Sequence, residues 1–174
     1  DAPVLTATGG AVTFTENGAA VDLFNNLSID LIEAAQSVLG MQLTVTGVNN
    51  GSAEILTIDG SDIALTQANS LTTASNALQA SVVLTGSTAT VSLSHATGIS
   101  SALAEAILDA ITYRNSSQDP NPLSRVVTLN RLQDDGGKGS RLHRLDEAAP
   151  KALELGLAQA GRRIENEALL GPDL

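Results

Sequence analysis

Apolar residues over the first 137 positions recur mainly at every second residue, in short runs separated by turn-forming pairs. Val12 and Phe14 alternate with Ala11, Thr13 and Thr15, which predicts a first strand closed by the turn Glu16-Asn17-Gly18. Ahead of it, Asp1-Ala2-Pro3-Val4-Leu5 reads as an extended lead-in, because Pro3 disfavours a helical residue before it. Val21, Leu23, Leu27, Ile29 and Leu31 continue the period of two, interrupted by a turn at Asn25-Asn26. Met41, Leu43 and Val45 predict the next strand, ended by the hairpin signal Asn49-Asn50-Gly51. Ile55, Ile58 and Ile63 flank Asp59-Gly60, and Val82-Val83-Leu84 and Val91-Ser92-Leu93 flank Gly86-Ser87. The stretch between Thr66 and Gln79 is polar and weakly periodic, which predicts a loop or a frayed helix.

The period changes once inside this body. Ile99, Leu103 and Ile107 recur every four residues, with Ala102, Ala106 and Ala110 beside them, which predicts one short helix over about 99–110. Ile111 and Tyr113 return to a period of two, and Val127 and Leu129 alternate with Thr128 and Asn130 beyond the turn Gln118-Asp119-Pro120-Asn121-Pro122. Seven or eight short strands around a single helix predict an all-β sandwich. In this reading the helix packs on the sheet, and Tyr113 lies beneath it with its hydroxyl satisfied at the edge.

After Gly137 the character changes again. Residues 138–174 are rich in Ala, Leu, Glu and Arg, and Leu153, Leu157, Ala160 and Ile164 share a helical face. Pro150 suits a first turn, whereas Gly156 and Gly161 each cost a helix about 1 kcal/mol relative to Ala. The division expected is therefore a β domain over 1–137 and a helical or disordered extension over 138–174.

Composition narrows the function classes. The chain of 174 residues is 43% hydrophobic but only 2% aromatic, with no Trp, so Val, Leu, Ile and Ala must build the core. The formal charge of −10 disfavours nucleic acid and anionic membrane surfaces, and it favours divalent cations. All of that net charge falls before Gly137, since the acids and bases of the tail cancel. Without cysteine there is no thiolate metal site and no cysteine catalysis, although an extracellular domain of this size can dispense with disulfides. No apolar run approaches the ~20 residues of a membrane-spanning helix. The opening Asp1-Ala2-Pro3-Val4 carries no signal peptide and reads as a cut through a longer polypeptide.

Five motifs in order carry a resemblance: the Asp1-Ala2-Pro3-Val4 opening, Phe14-Thr15-Glu16-Asn17-Gly18-Ala19-Ala20, Asn26-Leu27-Ser28-Ile29-Asp30, Ile111-Thr112-Tyr113-Arg114-Asn115 and Asp134-Asp135-Gly136-Gly137. Together they resemble a cadherin-like tandem repeat of large bacterial surface and secreted adhesins, similar to the repeats of chondroitin sulfate proteoglycan ectodomains. The resemblance covers roughly residues 1–137. It implies a cadherin-like or Ig-like Greek-key β-sandwich, an extracellular or cell-surface location, and calcium at the junctions between repeats. It also implies a role in adhesion or in spacing an adhesive tip from the cell.

On that resemblance the calcium ligands are Glu16 at the end of the first strand, Asp134 and Asp135 in the Asp-Gly-Gly turn, Asp1 in the linker, and Asp30. Asp30 is followed by Leu31-Ile32-Glu33 rather than by the family's Asp-x-Asp run, so only part of a site remains there. The bland alternative is that these are solvated turn carboxylates. The family also places a final strand after Asp-Gly-Gly, where this chain reads as helix; without that strand one sheet edge is left for the helix or another molecule to cover.

Other chemistry finds little support. The second acidic turn, Asp59-Gly60-Ser61-Asp62, is too short for an EF-hand loop. The two histidines suggest no catalytic triad; His95 reads as an exposed turn residue at a strand end, and His143 lies in the tail. Asp134 and Asp135 could act on a sugar as paired carboxylates, but adjacent residues in a glycine turn are poorly fixed and aromatic platforms are missing. Asn26, Asn50 and Asn115 match glycosylation sequons, a pattern frequent by chance in Asn- and Ser-rich chains. The expected function is thus a non-enzymatic adhesin module whose partners are neighbouring repeats and a cell-surface protein or glycan. The alternative is a ligand- or protein-binding module that uses, or self-associates through, an open sheet edge or the C-terminal helix.

Overall fold

The computed structural model of the chain describes residues 3–8, 12–15, 18–33, 35–119, 123–136, 141–144 and 152–158. Four strands come first: β1 (Val4–Thr8), β2 (Val12–Thr15), the two-residue β3 (Val21–Asp22) and β4 (Asn25–Asp30). They are followed by β5 (Val38–Thr46), one 3-10 turn at Gly51–Ala53, β6 (Glu54–Ile58) and β7 (Ser61–Ala64). Then β8 (Ser70–Thr72), β9 (Gln79–Thr85) and β10 (Thr88–Ile99) lead to the helix α1 (Ser101–Asp109). The remaining strands are β11 (Thr112–Asn115), β12 (Arg125–Asp134), β13 (Arg141–Arg144) and β14 (Ala152–Ala158).

These strands form three sheets. The largest has the order β2-β14-β12-β5-β10-β9-β8, with β13 also pairing β12; the others are β3-β11-β6-β7 and β1-β4. Every pairing is antiparallel except that of β14 with β2. Alternate residues of the two larger sheets turn toward one core: Leu43 and Val45 of β5, Val91 and Leu93 of β10, and Val127 and Leu129 of β12 join Leu56, Ile58, Ile63 and Tyr113. Burying a side chain of this kind is worth about 1.5–3 kcal/mol, so an aliphatic core suffices without Trp. The rings of Phe14 and Tyr113, from different sheets, meet edge to face with centroids 5.3 Å apart.

The helix forms nearly where its period predicts. Ser100 caps it by accepting the Leu103 N–H at 3.2 Å, and Ala104, Ile107 and Leu108 are buried. Ile99 closes β10 instead of opening the helix. On its polar side, Glu105 Oε1 accepts the Ile29 N–H at 2.6 Å and Asp109 Oδ1 accepts the Leu27 N–H at 3.1 Å. Residues four apart on a helix rise about 6 Å, close to the ~6.8 Å between alternate residues of a strand. The two carboxylates therefore stand in for a neighbouring strand along β4.

Several expectations are corrected. Residues 141–144 and 152–158 are strands rather than helix: β13 pairs the C-terminal half of β12, and β14 pairs its N-terminal half. Leu153, Leu155 and Leu157 fit a period of two as well as Leu153 and Leu157 fit a helix. The edge of β12 is a row of unpaired backbone groups that a strand satisfies and a helix with Gly156 in it does not. A strand thus does follow the Asp-Gly-Gly turn. Ala160 and Ile164 lie outside the described residues.

Asn49-Asn50-Gly51 is a corner rather than a hairpin, since β5 and β6 belong to different sheets. The reason is local: Glu54 Oε1 accepts the backbone N–H groups of Asn49 and Asn50 at 2.7 and 2.8 Å, which turns the chain out of the first sheet. The stretch 66–79 contains β8 and no helix. Here Asn69 O accepts the Val82 N–H at 2.8 Å and Gln67 Oε1 accepts the Leu84 N–H at 2.6 Å, closing the outer side of β9.

Candidate functional site

The strands define two poles. β5 runs from Val38 to Thr46 and β12 runs back beside it, so Arg125 lies at one end and Asp134 at the other. The two ends treat buried charge in opposite ways.

At the Arg125 pole the charges are compensated. Arg125 and Glu54 are both fully buried, and the guanidinium reaches both carboxylate oxygens, Nε to Oε2 at 3.1 Å and a terminal nitrogen to Oε1 at 3.0 Å. Tyr113 donates its hydroxyl to Glu54 Oε2 at 2.7 Å. Asn50 Oδ1 accepts from Arg125 at 2.9 Å and from the Asn115 amide at 3.0 Å, and the Leu123 carbonyl accepts a further Arg125 N–H. Burial alone would raise the Glu54 carboxyl, but Arg125, the two backbone N–H groups and the Tyr113 hydroxyl outweigh it and hold it below the usual carboxylate range. Burial, and then the negative charge of Glu54, pushes the Tyr113 phenol above its ordinary value. For Arg125, burial opposes the charge, but the hydrogen bond and attraction of Glu54 more than offset it. The network fastens β6 and β11 of one sheet to β12 of the other.

At the Asp134 pole a buried carboxylate lies without the hydrogen bonds that surround Glu54. Asp134 is fully buried, and neither carboxylate oxygen has a hydrogen-bond partner. It sits opposite Val38 of β5 and Arg141 of β13 in the strand register. Asp135 is half-buried, and its backbone N–H donates to the Ser37 carbonyl at 3.0 Å. Gly98, in the irregular part of β10, has φ +78°, and a Cβ there would lie 2.5 Å from the Ser37 Cβ. The segment before β5 is therefore clamped between β10 and the end of β12.

The residues expected to hold calcium distribute as follows. Asp1 and Glu16 lie outside the described residues. Asp30, at the end of β4, is exposed and accepts the Ile32 N–H at 2.8 Å, a local turn contact. Asp134 and Asp135 are adjacent in the chain at the pole just described. Among the described residues, no three His, Asp or Glu side chains converge as a ready metal site. A buried carboxylate whose oxygens accept nothing nevertheless fits a hard cation, because such an ion needs oxygen acceptors.

The other acidic turn has an internal use. Asp59 and Gly60, with φ +48° and +75°, make the two-residue hairpin of β6 and β7. The Asp59 carboxylate then accepts from Thr73 Oγ1 at 2.5 Å and from the Asn76 N–H and side-chain amide at 2.8 and 2.6 Å, which fixes the neighbouring turn. Asp62 is held below the ordinary carboxylate range by hydrogen bonds from Thr57 and Arg114. His95 is not an exposed turn residue: β10 continues through it to Ile99, and it is half-buried with Nδ1 unpartnered. Asn50 and Asn115, two of the sequon asparagines, are engaged in the Arg125 network.

Sequence reading missed Glu54 and Arg125, although a signal existed. Glu54 is in phase with Leu56 and Ile58, and Arg125 with Val127 and Leu129, so each strand carries one charged residue at a core position.

No family model, characterised protein or solved structure matches the chain. Among the described residues, no helix is long and apolar enough to cross a membrane.

Proposed function

We propose that the chain is a non-enzymatic module of an extracellular adhesin, a cadherin-like or Ig-like Greek-key β-sandwich that extends a larger polypeptide and supports attachment to a cell or surface. The observation that carries this reading is the direction of the outer strands. Val4 of β1 pairs with Asp30 of β4, just before the segment that leads into β5, so β1 starts at the Asp134 pole. β14 passes Leu155 opposite Arg125 and continues toward the other pole. Outer strands that run between the two ends of the sheets give the fold length along one direction, roughly 30 Å for a ten-residue strand such as β12.

Calcium belongs to this proposal at the Asp134 pole. Asp134 would be its anchor, with Asp135 and Asp30 near the same end and Asp1 added from the linker that the resemblance implies; β2 ends at Thr15 opposite Ala158, past the Arg125 end, so Glu16 is no part of this set. When bound, the ion would pair with the unpartnered Asp134 oxygens and stiffen the junction with the neighbouring module. The further partners are a cell-surface protein or glycan. The competing reading, capture of a partner on an open edge, is less well supported, because Glu105, Asp109 and Gln67 occupy edge N–H groups of β4 and β9.

Small-angle X-ray scattering of two copies of the chain joined in tandem tests the proposal. An extension module gives a maximum dimension close to twice that of one copy, longer and less variable with calcium than with chelator. A compact, side-by-side pair insensitive to calcium contradicts it.

A further inference from the structure

The Asp134 pole holds a second buried oxygen without a donor. Gln36 lies in the segment between β4 and β5, and its amide nitrogen donates to Glu33 Oε2. Its Oε1 is buried and has no hydrogen-bond partner. The amide is therefore held by its donor end while its acceptor end is unused. The next residue, Ser37, accepts the Asp135 N–H through its carbonyl at 3.0 Å, and Val38 is the register partner of Asp134. Two buried, unpartnered acceptors, an amide oxygen and a carboxylate, are thus carried by backbone segments bonded to each other.

Chemistry limits what satisfies such a pair. An ionised carboxylate only accepts, and the Gln36 amide nitrogen is turned toward Glu33. A neutral amide oxygen together with a carboxylate is the ligand mixture that a hard divalent cation takes.

We propose that Gln36 is a ligand of the cation that Asp134 anchors, with Oε1 as the neutral oxygen and Glu33 as the positioning residue that orients the amide. This assignment rests on the calcium reading of the Asp134 pole. It adds a ligand from the segment before β5 that none of the acidic motifs indicates.

The test is calorimetric titration of calcium chloride into the chelator-treated full chain and into Gln36→Glu, Gln36→Leu and Asp134→Asn, with circular dichroism confirming that each is folded. Affinity at such sites follows the charge and number of oxygen ligands, so Gln36→Glu tightens binding about tenfold and Gln36→Leu weakens it about tenfold. Asp134→Asn abolishes it. A merely structural role for Gln36 does not move the two substitutions in opposite directions, and if Gln36→Leu is unfolded, Gln36→Glu alone decides. Wild-type affinity in both Gln36 variants, with binding lost in Asp134→Asn, overturns the assignment and leaves the calcium site standing. No binding heat from the wild-type chain at millimolar calcium overturns both.

Discussion

Arg125 and Glu54 lie 71 residues apart in sequence and face each other from different sheets, both fully buried and joined by two hydrogen bonds of 3.0 and 3.1 Å. Removing one partner strands the other charge in the core, whereas replacing both removes the stranded charge but still takes the acceptor from the Asn49 and Asn50 N–H groups and the Tyr113 hydroxyl. Arg125→Met or Glu54→Leu alone is therefore expected to cost about 3–5 kcal/mol of unfolding free energy, and the double replacement to cost less than the sum of the two. Urea denaturation of the three variants checks this. Single variants within about 1 kcal/mol of wild type would contradict the compensation described.

The same pair sets an acid limit. The folded Glu54 carboxyl is held below its ordinary value of 4.5, so the stability it confers is complete above that pH and is lost as pH falls through the lowered folded value. The unfolding midpoint of the wild-type chain should drop in this acid range. Glu54→Gln should be less stable at neutral pH and should show a shallower acid dependence. Parallel pH profiles for the two proteins would show that Glu54 is not the responsible group.

The two helix carboxylates make a prediction of another kind. Glu105→Ala leaves the Ile29 N–H without its acceptor, and Asp109→Ala does the same to Leu27. Each should cost about 1–2 kcal/mol and accelerate hydrogen exchange selectively at the matching amide of β4. Exchange that stays slow at those two amides would mean that another acceptor replaces the carboxylate.

Gly98 tests the clamp at the Asp134 pole. With φ +78° and the Ser37 Cβ 2.5 Å from where its own Cβ would stand, Gly98→Ala meets both backbone strain and a clash. Destabilisation by about 1–3 kcal/mol is expected. Adding Ser37→Gly should restore only part of it, because the backbone conformation remains unfavourable. Full restoration would show that the clash alone matters.

Much of the fold was legible because its signals are local. The period of two located the strands of the core, and the change at Ile99-Leu103-Ile107 located α1, which starts at Ser101. The Asp59-Gly60 and Gly86-Ser87 hairpins follow from turn chemistry alone. What failed depended on distant partners. The stretch around Leu153-Glu154-Leu155-Gly156-Leu157 satisfies either period, and the vacant edge of β12 decides between them. Asn49-Asn50-Gly51 has the residues of a hairpin, but the Glu54 carboxylate makes it a corner. The burial of Asp134 was hidden by a register shift between Leu129 and Arg131, which moves the core phase of β12 from odd to even positions. Read without that shift, Asp134 falls on the solvent face. The Arg125–Glu54 pair was visible in the phase of each strand, though neither strand alone reveals that the two charges meet.

The account turns on the claim that the unpartnered Asp134 oxygens take a divalent cation. Thermal unfolding of the full chain in excess chelator and in millimolar calcium tests this most directly, because a ligand bound only by the folded state adds about 2.7 kcal/mol at a hundredfold excess over its Kd. The account predicts a clear rise of the melting midpoint with calcium in the wild-type chain and none in Asp134→Asn, which should be the more stable of the two in chelator. Identical midpoints for the wild-type chain with and without calcium would contradict it.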